Sequence, residues 1–464
     1  IKLSVEVCIS LIEFLQVKQF FSIFFDMLIF KGGNFLRQRL ALSTITGKPI
    51  IIKEIRADDT LNPGLNDSET SLLHLLDYVT DGSKIKINDT GTTLNYTPGI
   101  ITGGGTSDKP LIHECHPSRS LSYYIEFLLM FAQFGRDPLC IKLIGITDNS
   151  STDHSSDLIR MVTIPLIKKM IPQVGEISLS IIKRSVSQNS PGQVQLNIPT
   201  IKKIEPILMD GPIGRIKRIR GISWYTGSAS AQIAIKMISK ARGILNKFIP
   251  DVWIYFDKPK KDSLQNDEEI TGFGMTLVAE SIKGITIGSN CSFISSSIDV
   301  QKMLNIPMES FEEEQVFNSD NINEYQIPDL SSDLSANGEY SNESRNETSS
   351  SIQEIQNNEE FKSLTEWEKI GWLTASRLLL EIDSQSNVDT SHQIYPLLFM
   401  SLSQDTATSK LKLSKLAPMT IQFMRDLKTF TNIEFTIKED TENGLFIILS
   451  CTGIGFSNFA RKAA

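Results

Sequence analysis

Short apolar runs and longer stretches with apolar residues every three or four positions alternate along most of the chain. Residues 50–55 are rich in isoleucine and predict a strand, and residues 67–80 carry leucines at helical spacing and predict a helix. Two more strands are predicted at 84–87 and 92–96, with a turn between them. This order of strand, helix, strand, strand predicts an α+β protein.

A similar order of elements returns further along the chain. Helices and strands of comparable length are predicted at 121–134, 140–145, 156–170, 176–183, 367–382, 393–402, 418–430, 434–437 and 445–449. The recurrence predicts an internally repeated α+β architecture. At 464 residues the chain is also long enough for two domains.

Residues 204–296 interrupt this repetition and predict a smaller α/β domain inserted into the larger one. Its predicted elements are a basic strand at 215–222, a helix at 229–248 and strands at 252–256 and 274–280. The large domain then consists of a first part, 31–203, and a last part, 297–464.

The first thirty residues are predicted to be an N-terminal extension of this architecture. Residues 1–30 are apolar, but five charged residues interrupt them. Neither a membrane-spanning helix nor a signal peptide is therefore predicted, and we expect no membrane partner.

Charge is distributed unevenly along the chain. The net charge is −8, but residues 311–360 alone carry 13 acidic residues and one basic residue, a segment charge of −12. The rest of the chain is therefore mildly basic, at +4. The segment 308–364 is rich in Asn, Ser and Glu and poor in large apolar residues, so we predict a disordered acidic insertion.

The cysteines and histidines do not predict a metal centre. Five cysteines are widely spread without a Cys-x-x-Cys pair, which fits a reducing intracellular compartment. The stretch from His113 to His116 (HECH) lacks a second ligand pair at finger-like spacing. We expect no metal.

Several sequence blocks, in the same order, resemble the RNA 3′-terminal phosphate cyclase family. The last two blocks resemble its cyclase-like, nucleolar branch in particular. The blocks are GGNFLR at 32–37 with LALSTITGKP at 40–49, IR at 55–56 with LNPGL at 61–65, YTPGIITGG at 96–104, RSLSYYIE at 119–126, LAPMTIQFMRDLK at 416–428 and GIGFS at 453–457. The resemblance implies a large domain of repeated two-helix, four-strand units with a smaller inserted α/β domain.

The resemblance also implies that cyclase chemistry is absent here. Active members of the family attack ATP with a histidine that precedes a glutamine by four residues; Gln393 fits the glutamine, and Asp389 stands at the nucleophile position. On a helix, His392 would be displaced by about 4.5 Å along the axis, too far to replace that nucleophile. The family's Glu-Gly-Gly-Gly-Gln and Gly-Gly-Gly-Glu-Val motifs are altered at 30–34 (FKGGN) and 190–194 (SPGQV). We expect no cofactor.

Two groups of charged residues are candidates for contact with RNA or for its cleavage. Eight cations are candidates for binding RNA phosphates: Arg37, Arg39, Arg56, Arg119, Arg215, Lys217, Arg218 and Arg220. The last four are equally compatible with an ordinary solvated strand face. If the protein is an endoribonuclease, the candidates are Arg425, Asp426 and Lys428, a carboxylate beside two cations. The alternative for this trio is a salt-bridged helix surface.

The resemblance implies a non-cyclase ribosome biogenesis factor of the nucleolus, required for early processing of pre-rRNA for the small subunit. It implies a ribosome-assembly GTPase and a particle containing pre-rRNA and small nucleolar RNA as partners. The rival hypothesis is an RNA-modifying enzyme, either an endoribonuclease that cuts pre-rRNA or a residual RNA 3′-phosphate cyclase.

Overall fold

A computed structural model describes residues 27–149, 153–226, 231–257, 270–296, 363–439 and 446–461. Helices and strands are mixed throughout these ranges, so the protein is α+β. The predicted acidic insertion lies outside the described residues except for its last two positions, and so do residues 1–26 of the predicted N-terminal extension. No helix in the described ranges is both long and apolar enough to span a bilayer.

Three four-stranded sheets share one strand order and one pairing pattern. In each, the first two strands are parallel, every other neighbouring pair is antiparallel, and the order is first, second, fourth, third. The first sheet is β1 (Leu28–Lys31), β2 (Ile50–Lys53), β3 (Lys84–Ile87) and β4 (Leu94–Thr97). The second is β5 (Leu111–Glu114), β6 (Leu139–Gly145), β7 (Ser178–Lys183) and β8 (Gly192–Ile198).

The third of these sheets and a fourth, which we call the small sheet, are interleaved along the chain. The third sheet begins with β9 (Leu208–Met209). The small sheet follows, with β10 (Ile216–Thr226), β11 (Val252–Asp257), β12 (Ile270–Ser281) and β13 (Thr286–Ser296) in the order β11-β10-β12-β13. The chain then returns to the third sheet with β14 (Thr408–Leu413), β15 (Thr436–Glu439) and β16 (Ile447–Thr452).

Helices connect the parallel strands and pack against the sheets. Parallel strands need such a crossover because the chain must return to the same end of the sheet, whereas a tight turn can only join antiparallel strands. The helices are α1 (Leu36–Thr46), α2 (Asp67–Val79), α3 (Leu121–Phe131), α5 (Ala231–Leu245), α6 (Glu366–Asp383), α7 (Ile394–Leu402) and α8 (Pro418–Thr431). We label as α4 one helical run consisting of Ser156–Leu158, the π-turn Ile159–Thr163 and Ile164–Met170.

The ends of the helices follow local sequence signals. Asn66 begins α2 by accepting a hydrogen bond from the Glu69 amide, while the Glu69 side chain accepts one from the Asn66 amide. This reciprocal capping box satisfies two amides that lack partners within the helix. Pro418 occupies the first turn of α8, and Asn432 ends that helix in the left-handed region at a φ of 60°.

One hydrophobic core runs beneath the three similar sheets, and a second lies under the small sheet. Tyr124, Phe399 and Phe423 belong to the first core and are at most 1% exposed. The second core includes Met237 of α5, Leu277 of β12 and several residues of α6. The burial of these apolar side chains is the main favourable contribution to the folded state.

Helix α6 was expected to belong to the last part of the large domain, but it packs against the small sheet. Trp367, Trp372 and Leu378 of α6 share the second core with Met237. A Cβ on Gly371 would lie 2.4 Å from the Met237 carbonyl oxygen, so glycine permits the close approach of α5 and α6. The periodicity of α6 predicts its buried face but not the sheet that this face covers.

Two other expected boundaries also differ from the observed elements. Leu28–Lys31 forms the first strand of the first sheet, although residues up to 30 were assigned to an extension. Leu208–Met209 pairs with β14 in the third sheet, although residues from 204 onward were assigned to the inserted piece. Both strands are short, so their alternation gives little signal in the sequence.

Candidate functional site

Asp389 occupies the position at which the family resemblance places the cyclase nucleophile. It precedes the 3-10 helix Thr390–His392 and caps it by accepting a hydrogen bond from the His392 amide at 3.1 Å. Its other carboxylate oxygen accepts a hydrogen bond from the Gly288 amide of β13 at 3.2 Å. The side chain is 1% exposed, so Asp389 is a buried link to the small sheet.

His392 binds to Asp389 and is also buried. Its Nδ1 lies 2.5 Å from an Asp389 oxygen, and its Nε2 lies 2.8 Å from Oγ1 of Thr163 on α4. Because a carboxylate can only accept, Nδ1 donates the proton in the first of these bonds. Both ring nitrogens have partners and the side chain is 1% exposed. This imidazole has no free, accessible nitrogen for nucleophilic attack.

His154 and Glu126 form a second acid–histidine pair next to the first. The rings of His154 and His392 are stacked, with centroids 5.5 Å apart and an interplanar angle of 15°. Nδ1 of His154 lies 2.5 Å from Oε1 of Glu126, whose other oxygen accepts a hydrogen bond from Arg37 at 3.0 Å. We call Glu126, His154, Asp389 and His392 the histidine cluster.

The charged groups of the histidine cluster are balanced chiefly by one another. Burial raises the pKa of Glu126, but His154 and Arg37 outweigh burial and lower this pKa to about 2. Burial also disfavours a charged His154, yet the adjacent Glu126 holds the pKa of His154 above its ordinary value. The pKa of Asp389 would rise on burial, but His392 and hydrogen bonds lower it overall. Each carboxylate is therefore paired with its own imidazole.

Gln393 matches the family glutamine but has a structural role in this protein. Its Oε1 accepts hydrogen bonds from the Ala417 amide at 3.1 Å and from the Thr420 hydroxyl at 2.7 Å, and its Nε2 donates to the Lys415 carbonyl at 2.9 Å. The side chain therefore fixes the start of α8, and its polar atoms are used within the protein.

The loops after β1 and β2 form the altered opening signature. Three residues other than glycine adopt positive φ there: Phe35 at 62°, Glu54 at 59° and Arg56 at 41°. Side chains rarely adopt this region, and such strain is concentrated at functional sites. Lys31 pairs with Glu54 at 3.0 Å across the two loops. The loops therefore retain an unusual backbone, although the acidic residue and the glutamine of the family motif are replaced.

The first four arginines that were predicted to contact RNA all have carboxylate partners within the protein. The pairs are Arg37 with Glu126, Arg39 with Asp426, Arg56 with Glu69 and Arg119 with Asp153. Arg39 is 6% exposed, and we leave it out of any RNA interface for that reason. The other three side chains are partly exposed, and their contact with RNA stays a prediction.

The other four cations that were predicted to bind RNA phosphates lie on β10 or just before it. Arg215 and Lys217 are exposed, while Arg218 donates to Glu280 at 2.6 Å and Arg220 donates to both oxygens of Asp251 at 2.9 and 3.1 Å. The pairing register of β10 shifts between Ile216 and Arg218, which places Lys217 in an irregular part of the strand. Contact of this group with RNA also stays a prediction.

The three endonuclease candidates lie on α8 but do not face one another. Asp426 turns inward and accepts a hydrogen bond from Arg39 Nε at 3.2 Å, with both side chains less than a tenth exposed. Lys428 pairs with Glu434 at 2.7 Å on the surface, and Arg425 is exposed. The single carboxylate of the trio therefore neutralises a buried arginine. No observed geometry favours the endonuclease hypothesis.

Arg184 lies at the centre of a second buried polar cluster, which was not predicted from the sequence. This buried guanidinium donates to Asp148 at 2.7 Å, to Asp157 at 2.6 Å and to Asp257 at 3.1 Å, and it lies 5.0 Å from the ring of Trp224. Its partners are far apart along the chain, so no local pattern connects them. Asp257 and Trp224 belong to the small sheet, which Arg184 therefore joins to the second sheet.

No three His, Cys, Asp or Glu side chains within the described ranges come together in a way that could hold a metal ion. The histidine cluster contains two carboxylates and two imidazoles, but these groups bind one another in pairs. The histidine cluster is therefore a buried polar network that connects the large domain to the small sheet.

Comparison with known proteins identifies the family. The model of the family described as RNA 3′-terminal phosphate cyclase matches residues 28–437. The human RNA 3′-terminal phosphate cyclase-like protein is 36% identical over 439 residues, 94% of this chain and 97% of that protein. A probable cyclase-like protein of Dictyostelium discoideum is 35% identical over 94% of this chain and its own full length. The rRNA processing protein rcl1 of Schizosaccharomyces pombe is 30% identical over 93% of this chain and 97% of its own. The chain belongs to the RNA 3′-terminal phosphate cyclase family.

Proposed function

We propose that this protein is a non-cyclase ribosome biogenesis factor that takes part in early processing of pre-rRNA for the small ribosomal subunit. The observation that carries the proposal is the state of the nucleophile position: Asp389 is buried and bound to His392. A relative aligned over almost the whole chain is named an rRNA processing protein, which supports this role. The remaining components of the proposal are location in the nucleolus, binding of a ribosome-assembly GTPase, and association with a pre-rRNA and small nucleolar RNA particle.

The argument against cyclase chemistry rests on access and on hydrogen bonding. An adenylyl-enzyme requires a nucleophile whose lone pair can reach the α-phosphate of ATP. Asp389 is committed to His392 and to the Gly288 amide, and His392 is committed to Asp389 and Thr163. Freeing either residue would leave a buried charge or donor without a partner, which is costly.

The proposal treats the protein as a bound scaffold in the particle. A large domain of repeated units with a small inserted domain offers two surfaces of different character, and the mildly basic folded part suits a partner rich in phosphate. We propose that the inserted domain, predicted at 204–296, is joined by α6, because α6 packs against the small sheet.

Recovery of partners tests the proposed role. The tagged full chain is purified from cells, the bound RNA is sequenced, and the bound proteins are identified by mass spectrometry. We expect precursors of small-subunit rRNA, small nucleolar RNA and a GTPase, and depletion of the protein should cause unprocessed precursor to accumulate. Recovery of none of these partners, with normal processing after depletion, would contradict the proposal.

A labelling experiment tests the loss of cyclase chemistry separately. The full chain is incubated with ATP labelled on the α-phosphate, beside an active RNA 3′-terminal phosphate cyclase as positive control. We expect no labelled protein for the wild type and none for Asp389→His, because His154 and His392 remain in the surrounding space. A covalent label that is lost in His392→Ala would contradict our reading of the geometry.

A further inference from the structure

One half of one face of the small sheet is covered, and the other half is exposed except where Arg184 lies against Trp224 and Asp257. Leu158 and Val162 of α4 pack against Val278 of β12, which covers the half formed by β12 and β13. The other half is formed by β10 and β11, the latter at the edge of the sheet. Trp253 and Tyr255 of β11 are 62% and 59% exposed there.

The exposed aromatic residues share a face with two arginines. Trp253 and Tyr255 are two residues apart on a strand, so they point to the same side, about 6.6 Å apart along it. Arg220 is the register partner of Trp253 on the neighbouring strand and interacts electrostatically with Tyr255. Arg218 precedes Arg220 by two residues on β10, so it lies on the same face, and it donates a hydrogen bond to Glu280. We call Trp253, Tyr255, Arg218 and Arg220 the aromatic strip.

Further cations lie beside Asp251 and at the turn between β12 and β13. Lys217 and Arg218 both lie close enough to Asp251 to lower its pKa, after the larger effect of its hydrogen bond with Arg220. At the turn between β12 and β13, Lys169 of α4 donates a hydrogen bond to the Lys283 carbonyl at 2.7 Å, and the backbone of the exposed Arg215 is bonded to the same turn. The six cations placed here outnumber the three carboxylates, which are Asp251, Glu280 and Asp257; the last of these binds Arg184.

We propose that the aromatic strip binds unpaired RNA, with bases stacked on Trp253 and Tyr255 and phosphates bound by the surrounding cations. Exposed aromatic rings beside cations are the standard means of holding single strands, because every base presents a π-face. In a duplex the base faces are covered, so paired RNA should bind more weakly. The inference rests on the proposed function, which supplies pre-rRNA as the partner, and it assigns the contact to one surface.

The charge around the strip favours RNA over a peptide as the occupant. A peptide that added a strand to β11 would be held by main-chain hydrogen bonds along the edge, and it would not need the cations beside Arg220. A polyanion gains from each of them by releasing counterions. Arg218 and Arg220 are oriented by Glu280 and Asp251, while Lys217 and Arg215 are exposed and have no ion pair in the described part of the chain.

Tryptophan fluorescence gives a direct test, because Trp253 is the single exposed member of the four tryptophans. Trp224, Trp367 and Trp372 are at most 8% exposed. When the full chain binds a labelled uridine dodecamer, the fluorescence of Trp253 should be quenched. The fluorescence anisotropy of the label should rise over the same range of concentrations. Trp253→Phe should remove the quenching but keep most of the affinity, because phenylalanine retains a stacking face.

Truncation of the rings should weaken binding strongly. We expect Trp253→Ala with Tyr255→Ala to reduce affinity for the dodecamer by about thirtyfold or more, since each of the two stacked bases contributes about 1–3 kcal/mol. Lys217→Gln should lower the slope of affinity against salt by about 0.7. Tyr78→Ala, at another exposed tyrosine, is the matched control and should bind like the wild type. Equal thermal unfolding of all variants verifies that they fold.

The outcome is distinguishable from that of the proposed function. Three results would each overturn the inference. The double alanine variant could bind the dodecamer as tightly as the wild type, the wild type could reach saturation without quenching of Trp253, or a duplex of equal length could bind more tightly than the single strand. If that variant keeps its RNA affinity but loses a protein that the wild type recovers, the strip is a protein interface instead. Absence of pre-rRNA from the wild-type pull-down would contradict the proposed function, whatever the dodecamer result.

Discussion

Asp426→Asn separates a structural from a catalytic role for the carboxylate on α8. Asp426 neutralises Arg39 in a pair whose side chains are 3% and 8% exposed. Removing one partner of a buried ion pair leaves an uncompensated charge and typically costs about 3–5 kcal/mol. Arg39 would keep its bond to the Lys31 carbonyl at 3.3 Å and its position over the Phe30 ring at 4.6 Å. We therefore expect a loss of about 2–3 kcal/mol in the free energy of unfolding.

The pair should nevertheless be replaceable as a unit. Burial raises the pKa of Asp426 even with Arg39 beside it, so attraction within the pair does not fully offset the cost of removing the carboxylate from water. Arg39→Met combined with Asp426→Leu fills the same space with apolar atoms. We expect this double variant to unfold within about 1 kcal/mol of the wild type, far from the sum of the single changes.

The assay has to report on the large core. All four tryptophans lie on the small sheet or on α6, so urea unfolding is followed by circular dichroism at a helical wavelength. Glu434→Gln, which removes the exposed partner of Lys428, is the control and should leave the unfolding curve unchanged. An unchanged unfolding free energy in Asp426→Asn would refute the structural role. Cleavage of a pre-rRNA fragment by the wild type, lost in a stable Asp426→Asn, would establish the catalytic one.

Further predictions concern the two helices α5 and α6. Gly371→Ala should destabilise the chain by about 2–3 kcal/mol, because its Cβ would lie 2.4 Å from the Met237 carbonyl, whereas Gly243→Ala on α5 has open space and should stabilise by up to about 1 kcal/mol in thermal unfolding. Burial and Asp389 raise the pKa of Glu381 from 4.5 to about 7, so the folded protein favours the protonated side chain. The contribution of Glu381 to the stability of the fold is therefore complete below pH 4.5 and is lost as pH rises through 7. Glu381→Gln should therefore match the wild type at pH 4.5 and exceed it by roughly 1–3 kcal/mol at pH 8; equal stability at pH 8 would contradict this.

Periodicity predicted helix α2 well because its burial is one-sided, and the turn residues on either side helped to bound the strand that follows it. Helix α2 was predicted at 67–80 and observed at Asp67–Val79, and the strand predicted at 84–87 was observed at the same residues. Short strands such as Leu208–Met209 were missed, since two residues carry no period. The partner of α6 was missed because an apolar face does not specify which core it joins.

The candidate site was only partly predictable. The family resemblance directed attention to Asp389 and Gln393, but the contact of His154 with His392 joins residues 238 positions apart in sequence, and no local pattern encodes it. The side of α8 that Asp426 occupies was also mistaken. Adjacent charges on a helix point in different directions, and the buried Arg39 that attracts this carboxylate comes from a distant helix.

The pairing of Asp389 with His392 determines what a histidine at position 389 would cost this fold. A histidine at position 389 would deprive His392 of its carboxylate and the Gly288 amide of its acceptor, and it would bring a third imidazole against His154. Each of these changes is therefore destabilising on its own. A histidine nucleophile at position 389 would need compensating substitutions at several neighbouring residues.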